Sequence, residues 1–313
     1  MGATSIKSGF SMGPEQVLAY RRDGFLVREN AYSPAEVEAL RRETVDLCRQ
    51  GSFKVWSRED RETPVLDLRP DSTDMEILAE YLCIHFPHKA SELMRSTLAH
   101  PNTVEVLRQV IGPNVKCMQS MLFIKSAGKP GQAWHQDEDY IPTRDRSMTG
   151  VWIALDDATV ENGCLWVIPG SHQHGVLWPQ KWHADTRFDC AEESYQFPYQ
   201  DSDAVSVEVK AGSMVVFNGY LLHRSLPNTT KSGLRRALVN HYMSAESLLP
   251  WHSPKEGESM ATADYRDIVM VCGKDPYAYK GTEDISGPHV RSTGKGGCGN
   301  NQYNLKVDPA PGA

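Results

Sequence analysis

From Gly112 onward the chain is written in short apolar or alternating runs, at residues 115–124, 150–155, 164–168, 205–209, 214–217 and 236–243, separated by Gly, Pro, Asn and Asp. Runs of that length between turn residues are strands. No helix-sized segments alternate with them, which argues against a doubly wound parallel sheet and leaves a sandwich or barrel of short strands. The residues before Gly112 have another texture. Pro14 to Tyr20 opens a short helix that Asp23-Gly24 ends, and Phe25-Leu26-Val27 reads as a strand. Ser33-Pro34-Ala35-Glu36 supplies an N-cap, a first-turn proline and the glutamate of a capping box. Val37, Leu40, Val45 and Leu47 then keep helical spacing as far as Gly51. Two further helical stretches, 73–82 and 102–111, precede Gly112. The expected architecture is mainly β with a helical layer, in one domain over residues 1–313. Helices occupy 14–112, a β core 113–245 and an extension 246–313, whose Gly-rich polar end from Gly281 reads as surface. Residues 172–203, long and rich in Trp and Tyr, have the character of an active-site lid.

Composition narrows the function classes. With 33 Lys and Arg against 40 Asp and Glu the net charge is −7, and no long basic run occurs, which argues against nucleic acid as a partner. No apolar run approaches the roughly 20 residues that a helix needs to cross a bilayer, so no membrane span is expected. Met1 to Ser11 lacks a secretory pattern, and Pro311-Gly312-Ala313 is not a peroxisomal tripeptide. Seven cysteines are scattered without a CxxC pair, which fits buried thiols in a reducing cytoplasm. Nothing in the sequence fixes an oligomeric state.

No serine-hydrolase elbow, P-loop or GxGxxG motif occurs, so the eleven histidines carry the search for chemistry. His135-Gln136-Asp137 puts two ligand-type side chains at i and i+2, on one side of a strand. His183-Ala184-Asp185 has the same spacing, and spacing alone does not choose between them. His135 lies among the elements of the β core, whereas His183 lies in the long irregular stretch, where a surface loop is the plainer reading. His172 and His174, after Pro169-Gly170-Ser171, read as turn histidines. A third ligand is expected on a neighbouring strand, and His223 qualifies. Two His and one carboxylate occupy one face of an iron and leave three positions open. Twelve residues after His223 stands Arg235, ahead of a strand; a guanidinium emerging in a β core needs an anion, from a dicarboxylic acid or from an internal Asp or Glu.

Three blocks carry a resemblance. They are Trp134-His135-Gln136-Asp137, then Gly150-Val151-Trp152-Ile153-Ala154-Leu155-Asp156-Asp157-Ala158, then Glu161-Asn162-Gly163-Cys164-Leu165-Trp166-Val167-Ile168-Pro169-Gly170-Ser171-His172. Together with His223, Ser225, Pro227, Asn228 and Arg235, and an opening Glu15-Gln16 … Asp23-Gly24-Phe25-Leu26-Val27, the chain resembles the phytanoyl-CoA dioxygenase family over about residues 14–245. That family consists of iron(II)- and 2-oxoglutarate-dependent oxygenases. The resemblance implies a double-stranded β-helix core (jelly roll, cupin-like) backed by N-terminal helices. It implies Fe(II) held by His135, Asp137 and His223, and 2-oxoglutarate held at its far carboxylate by Arg235 and Ser225. Met121 and Trp152 then line the co-substrate pocket, O2 is the oxidant, and ascorbate serves as in-vitro reductant. Arg236 is the alternative to Arg235, because the alignment there needs one extra residue.

Retention of Asp137, which halogenating relatives replace by a small residue, implies hydroxylation or another outcome of hydrogen abstraction. The family does not fix the substrate. Trp134, Glu138, Asp139 and Tyr140 beside the metal motif, with Trp178 in the candidate lid, suit a small cationic or polar organic molecule better than a polyanion such as CoA. A silent jelly roll that binds metal or metabolite is the alternative function. A ring-cleaving dioxygenase without 2-oxoglutarate is the alternative enzyme.

Overall fold

The computed structural model describes residues 12–50, 54–55, 69–189, 192–248, 267–284 and 286–292. The stretches from which targeting signals were read, Met1–Ser11 and 311–313, and the helix stop at Gly51 lie outside them.

The helical layer consists of α1 (Pro14–Asp23), α2 (Pro34–Gln50), α3 (Asp74–Ala79), α4 (Glu92–Ser96) and α5 (Pro101–Val110), with the single turn α6 (Asp137–Tyr140) further on. Local chemistry sets their ends. α1 stops where Gly24 takes φ +83°, which glycine adopts without strain. α2 starts on the expected capping box: the Ser33 backbone N–H donates to Glu36 at 2.7 Å, and the Glu36 N–H donates to Ser33 Oγ at 3.3 Å.

The strands, in chain order, are β1 (Phe25–Arg28), β2 (Lys54–Val55), β3 (Tyr81–His85), β4 (Val115–Ser126), β5 (Gln132–His135), β6 (Thr149–Ala154), β7 (Leu165–Val167), β8 (Gln180–Trp182), β9 (Glu192–Ser194), β10 (Val205–Val207), β11 (Met214–Asn218), β12 (His223–Ser225), β13 (Leu234–Ser244), β14 (Val269–Cys272) and β15 (His289–Ser292). A nine-stranded sheet runs β1-β11-β6-β13-β4-β3-β15-β2, with β14 also on β4. A four-stranded sheet runs β10-β7-β12-β5. All pairings are antiparallel except β15 with β2. The two sheets form the jelly roll that the resemblance implied.

Strand alternation sorts the core into two layers. Val151 and Ile153 of β6, Met214 and Val216 of β11, and Leu238 and Tyr242 of β13 pack with Leu40, Leu47, Ile77 and Leu107 of the helices. Their alternates, Trp152, Ala154, Val215, Phe217, Ala237 and Val239, face Leu165, Val167 and Val207 of the smaller sheet. The same parity separates two adjacent arginines. Arg236 points to the helices, where its Nε and Nη2 donate to Asp156 at 2.8 and 2.9 Å and Arg41 of α2 completes the cluster at 3.2 Å. Arg235 points into the jelly roll. Of the two arginines the sequence offered, Arg236 thus already has an internal carboxylate.

Two expectations need correction. The helix expected over 73–82 ends at Ala79, and Tyr81–His85 is a strand seated between β4 and β15. Cross-strand pairing and burial of Tyr81, Cys83 and Ile84 override the local helical pattern. The extension is not a surface feature throughout: β14 pairs with β4, β15 pairs with β3, and Val290 is 1% exposed. It covers a sheet edge that would otherwise be unpaired. Residues 172–203 hold the two-stranded β8–β9 ribbon, tied to the core where Gly131 N–H donates to the Arg187 carbonyl at 2.7 Å. Among the described residues no helix is long and apolar enough to cross a membrane. The described cysteines are free thiols, and Cys48, Cys83, Cys117 and Cys164 are buried.

Candidate active site

β5 and β12 are neighbours in the smaller sheet, with His135 directly opposite His223, and Asp137 follows two residues after His135 at the start of α6. His135 Nδ1 lies 2.7 Å from the Ala133 carbonyl and His223 Nδ1 2.9 Å from the Leu221 carbonyl. A carbonyl only accepts, so each Nδ1 carries a hydrogen and each Nε2 is the nitrogen that faces inward. Both Nε2 atoms lie 3.5 Å from Asp137 Oδ1, and the three ligand atoms fall within 4.8 Å of one another.

Electrostatics fit this arrangement to a cation. Burial pushes the His135 imidazole down to about 4, so it is neutral at physiological pH. Burial opposes ionisation of Asp137, but the His223 charge and the hydrogen bonds from His223 and His241 outweigh it and hold the carboxyl well below its usual range. Burial likewise opposes protonation of His223, and Asp137 overcomes it. The position between the rings and the carboxylate therefore favours a positive charge, a proton on His223 or a metal ion, and two imidazoles with one carboxylate are the donor set of a facial iron site.

A cavity of about 410 Å³ runs from this cluster to Arg235. Arg235 is 3% exposed, its guanidinium lies over the Trp152 ring with 5.6 Å to the centroid, and its Nε has no hydrogen-bond partner. No carboxylate of the described residues lies within ion-pair distance of it. Burial lowers its pKa to about 10, leaving it charged. Directly across the strand pair stands Lys125, whose Nζ donates to Ser225 Oγ at 3.0 Å and to the Leu226 carbonyl at 2.7 Å. Burial, and then the Arg235 charge, hold this ammonium well below its usual pKa. Each of the two groups disfavours the charged form of the other, and an anion beside the guanidinium relieves that opposition.

Met121, Trp152 and Ser225 line the same cavity. The five residues expected at the substrate divide. Tyr140 is on the wall, its hydroxyl 3.4 Å from Gln180 Oε1. The other four do not line the cavity. Trp134 alternates to the opposite face from His135 and packs with Ile168 and Leu222 beneath Arg224. Glu138 turns inward to accept from the Thr143 backbone N–H and hydroxyl, both at 2.6 Å. Asp139 faces outward and accepts from Gln180 at 2.8 Å, and Trp178 packs with the Trp134 cluster. His183 and His172 stand away from the site, as the loop reading expected; His172 Nε2 lies 3.0 Å from the Arg21 carbonyl.

Sequence reasoning missed Lys125, His241 and a mouth formed by His85, Phe86, Gln119, Glu192, Ser286 and His289. His241 carried a usable signal, the shared odd parity with Arg235, Ala237 and Val239 on one strand. The mouth residues carried none, because they come from strands brought together only by the sheet.

A jelly roll with two imidazoles and a carboxylate converging at one end of a cavity, and an unpaired guanidinium at the other, defines a non-haem iron oxygenase of the kind that uses a 2-oxo acid. Comparisons agree. The phytanoyl-CoA dioxygenase (PhyH) family model matches residues 20–237. A phytanoyl-CoA dioxygenase of Arabidopsis thaliana is 29% identical over 269 residues, covering 75% of this chain and 90% of the relative. Phytanoyl-CoA dioxygenase 1 of Oryza sativa subsp. japonica is 31% identical over 267 residues, with the same coverage of 75% and 90%. Among solved structures, the non-heme monooxygenase ThoJ superposes with a TM-score of 0.60 at 24% identity, covering 83% of this chain and 84% of that one. CytC3 with Fe(II) and alpha-ketoglutarate gives 0.56 at 20%, covering 86% and 92%. The chain belongs to the phytanoyl-CoA dioxygenase family of iron(II)- and 2-oxoglutarate-dependent oxygenases.

Proposed function

We propose that this enzyme oxidises a C–H bond of a small polar organic metabolite, by hydroxylation, while 2-oxoglutarate is converted to succinate and CO2. His135, Asp137 and His223 hold Fe(II); Arg235 and Ser225 hold the far carboxylate of 2-oxoglutarate. The observation that carries this reading is the buried Arg235 with no internal carboxylate, at the opposite end of the cavity from the ligand cluster. The iron supplies activation of dioxygen when bound. The chain's own residues do the rest. The two Nδ1–carbonyl hydrogen bonds aim both Nε2 atoms at the metal position. Arg235 neutralises and orients the co-substrate's far end, Lys125 holds the Ser225 hydroxyl in place beside it, and Phe123, Leu165, Phe217 and Val239 keep the span between dry.

The mouth supports a small substrate without polyphosphate. Of the described residues lining the cavity only Arg224 and Arg235 are Lys or Arg. Arg224 is already paired with Asp201 at 3.2 Å and stacked over Trp134, while Glu192 adds a carboxylate. The phosphates of a CoA thioester meet no uncommitted Lys or Arg there among the described residues, whereas the aromatic and histidine side chains suit a neutral or cationic molecule. A silent binding protein is the weaker reading, since it leaves the converging ligand atoms and the unpaired guanidinium without a use.

The test is succinate release from purified protein given iron(II), ascorbate, 2-oxoglutarate and oxygen, beside an Asp137→Ala control. Slow release that vanishes in the control is expected, and phytanoyl-CoA is expected to leave the rate unchanged. Failure of the wild type to bind 2-oxoglutarate with iron(II) under anaerobic conditions would sink the assignment.

A further inference from the structure

We propose that His241 is a positioning residue that keeps Asp137 a one-oxygen ligand, so that a coordination position stays open beside the bound co-substrate. The inference rests on the iron site assigned above. It arises from how the two oxygens of Asp137 are divided. Oδ1 is the oxygen that both ligand imidazoles face, 3.5 Å from each Nε2. Oδ2 is turned away from them and lies 3.1 Å from His241 Nε2.

His241 reaches that oxygen from the larger sheet. It stands on β13 opposite Gly150 of β6 and Gln119 of β4, is 4% exposed, and lines the cavity. A carboxylate accepts and does not donate, so the ring hydrogen belongs on Nε2. The other nitrogen, Nδ1, is then a bare acceptor, and it is buried with no hydrogen-bond partner. A buried histidine ordinarily satisfies both nitrogens. This one leaves Nδ1 unsatisfied and spends its one hydrogen on Asp137, which points to a role in aiming that carboxylate.

The consequence is one of coordination arithmetic. Three protein atoms on one face of an octahedral ion leave three positions, two for the oxygens of a 2-oxo acid and one for dioxygen. A carboxylate free to chelate through both oxygens takes one of those three. Co-substrate then still binds, but the last position is filled. Loss of the His241 hydrogen bond therefore closes the dioxygen position rather than the 2-oxoglutarate site.

The experiment uses the full chain with iron(II) and 2-oxoglutarate, without oxygen, and nitric oxide as a probe of the open position, read by electron paramagnetic resonance. His241→Gln places an amide N–H near the position of Nε2; His241→Asn is one methylene shorter and His241→Leu has no donor. His241→Gln is expected to bind nitric oxide like the wild type. His241→Asn and His241→Leu are expected to bind it about ten-fold more weakly, the scale on which groups behind a ligand tune a metal site, with 2-oxoglutarate affinity little changed. If His241→Leu does not fold, the Gln and Asn variants carry the comparison alone. Asn and Gln variants that both bind nitric oxide like the wild type overturn the positioning role. A wild type that takes up neither iron nor 2-oxoglutarate overturns the function proposed above, and this inference with it.

Discussion

Arg235→Met is expected to raise the melting temperature of the protein without ligands, and to remove most of the stabilisation that 2-oxoglutarate gives the wild type in the presence of metal. Both effects come from one side chain. Without co-substrate, Arg235 is a buried charge facing Lys125 across the strand pair, with Nε unpartnered. Burying a charge without a counter-ion is unfavourable, and an apolar side chain of similar length relieves it. With co-substrate, the same guanidinium donates charge-assisted hydrogen bonds to a carboxylate. Their loss costs about 2–4 kcal/mol, or about 30- to 1000-fold in Kd. Saturating 2-oxoglutarate stabilises the wild type by about 2.7 kcal/mol at a hundred times Kd, and at the same concentration that increment falls below about 1 kcal/mol in the variant. The neighbouring Arg236→Met is expected to do the reverse. It strands Asp156 with Arg41 alone and lowers stability by about 3 kcal/mol, while leaving co-substrate binding intact. Thermal melts with and without 2-oxoglutarate check both, and equal shifts in the two variants would contradict the assignment of Arg235.

Gly131→Ala is expected to cost about 3 kcal/mol in stability and to weaken metal binding at least several-fold, by the mechanism of backbone overpacking. A Cβ at Gly131 would stand 1.9 Å from the Ser225 carbonyl oxygen and 2.8 Å from the Leu226 carbonyl carbon. Backbone cannot rotate aside as a side chain does, so the chain entering β5 must move off β12. Those two strands carry His135 and His223 opposite each other, and Ser225 of β12 also meets Lys125. Displacement therefore spreads the ligand cluster as well as loosening the sheet. Gly287→Ala, where a Cβ meets nothing within 4 Å, is the matched control and is expected to be neutral. Chemical denaturation and titration with nickel(II) separate the two effects.

How far the residues themselves disclosed this molecule differs from element to element. The start of α2 was legible because a capping box is local: Ser33 and Glu36 bond each other whatever the rest of the chain does. β6, β11 and β13 were legible because their apolar content survives any choice of neighbour. β3 was not, since Tyr81–His85 becomes a strand only through β4 and β15. The His135-x-Asp137 spacing offered two candidate ligands, His223 and Arg235 qualified by their places beside later strands, and the family motif joined the four into one candidate site. Lys125 was hidden because pairing across strands is a long-range fact. Trp134 and Glu138 misled for the opposite reason: adjacency in sequence to a ligand puts a strand residue on the other face, and a one-turn helix turned Glu138 toward Thr143 instead of the cavity.

The seating of β15 has a bearing on how the molecule is assembled in time. Synthesis delivers β3 and β4 long before His289, yet Ile84 pairs with Val290 and the imidazoles of His85 and His289 stack at 4.5 Å beside the cavity. Until those late residues emerge, one margin of the larger sheet offers unpaired backbone to any passing strand, and one wall of the cavity is missing. Pairings this distant in sequence are slow to form because the loop must close first. The nascent chain thus passes through an interval in which β5 and β12 are made but the mouth of the cavity is not, and the arrival of β15 completes that wall.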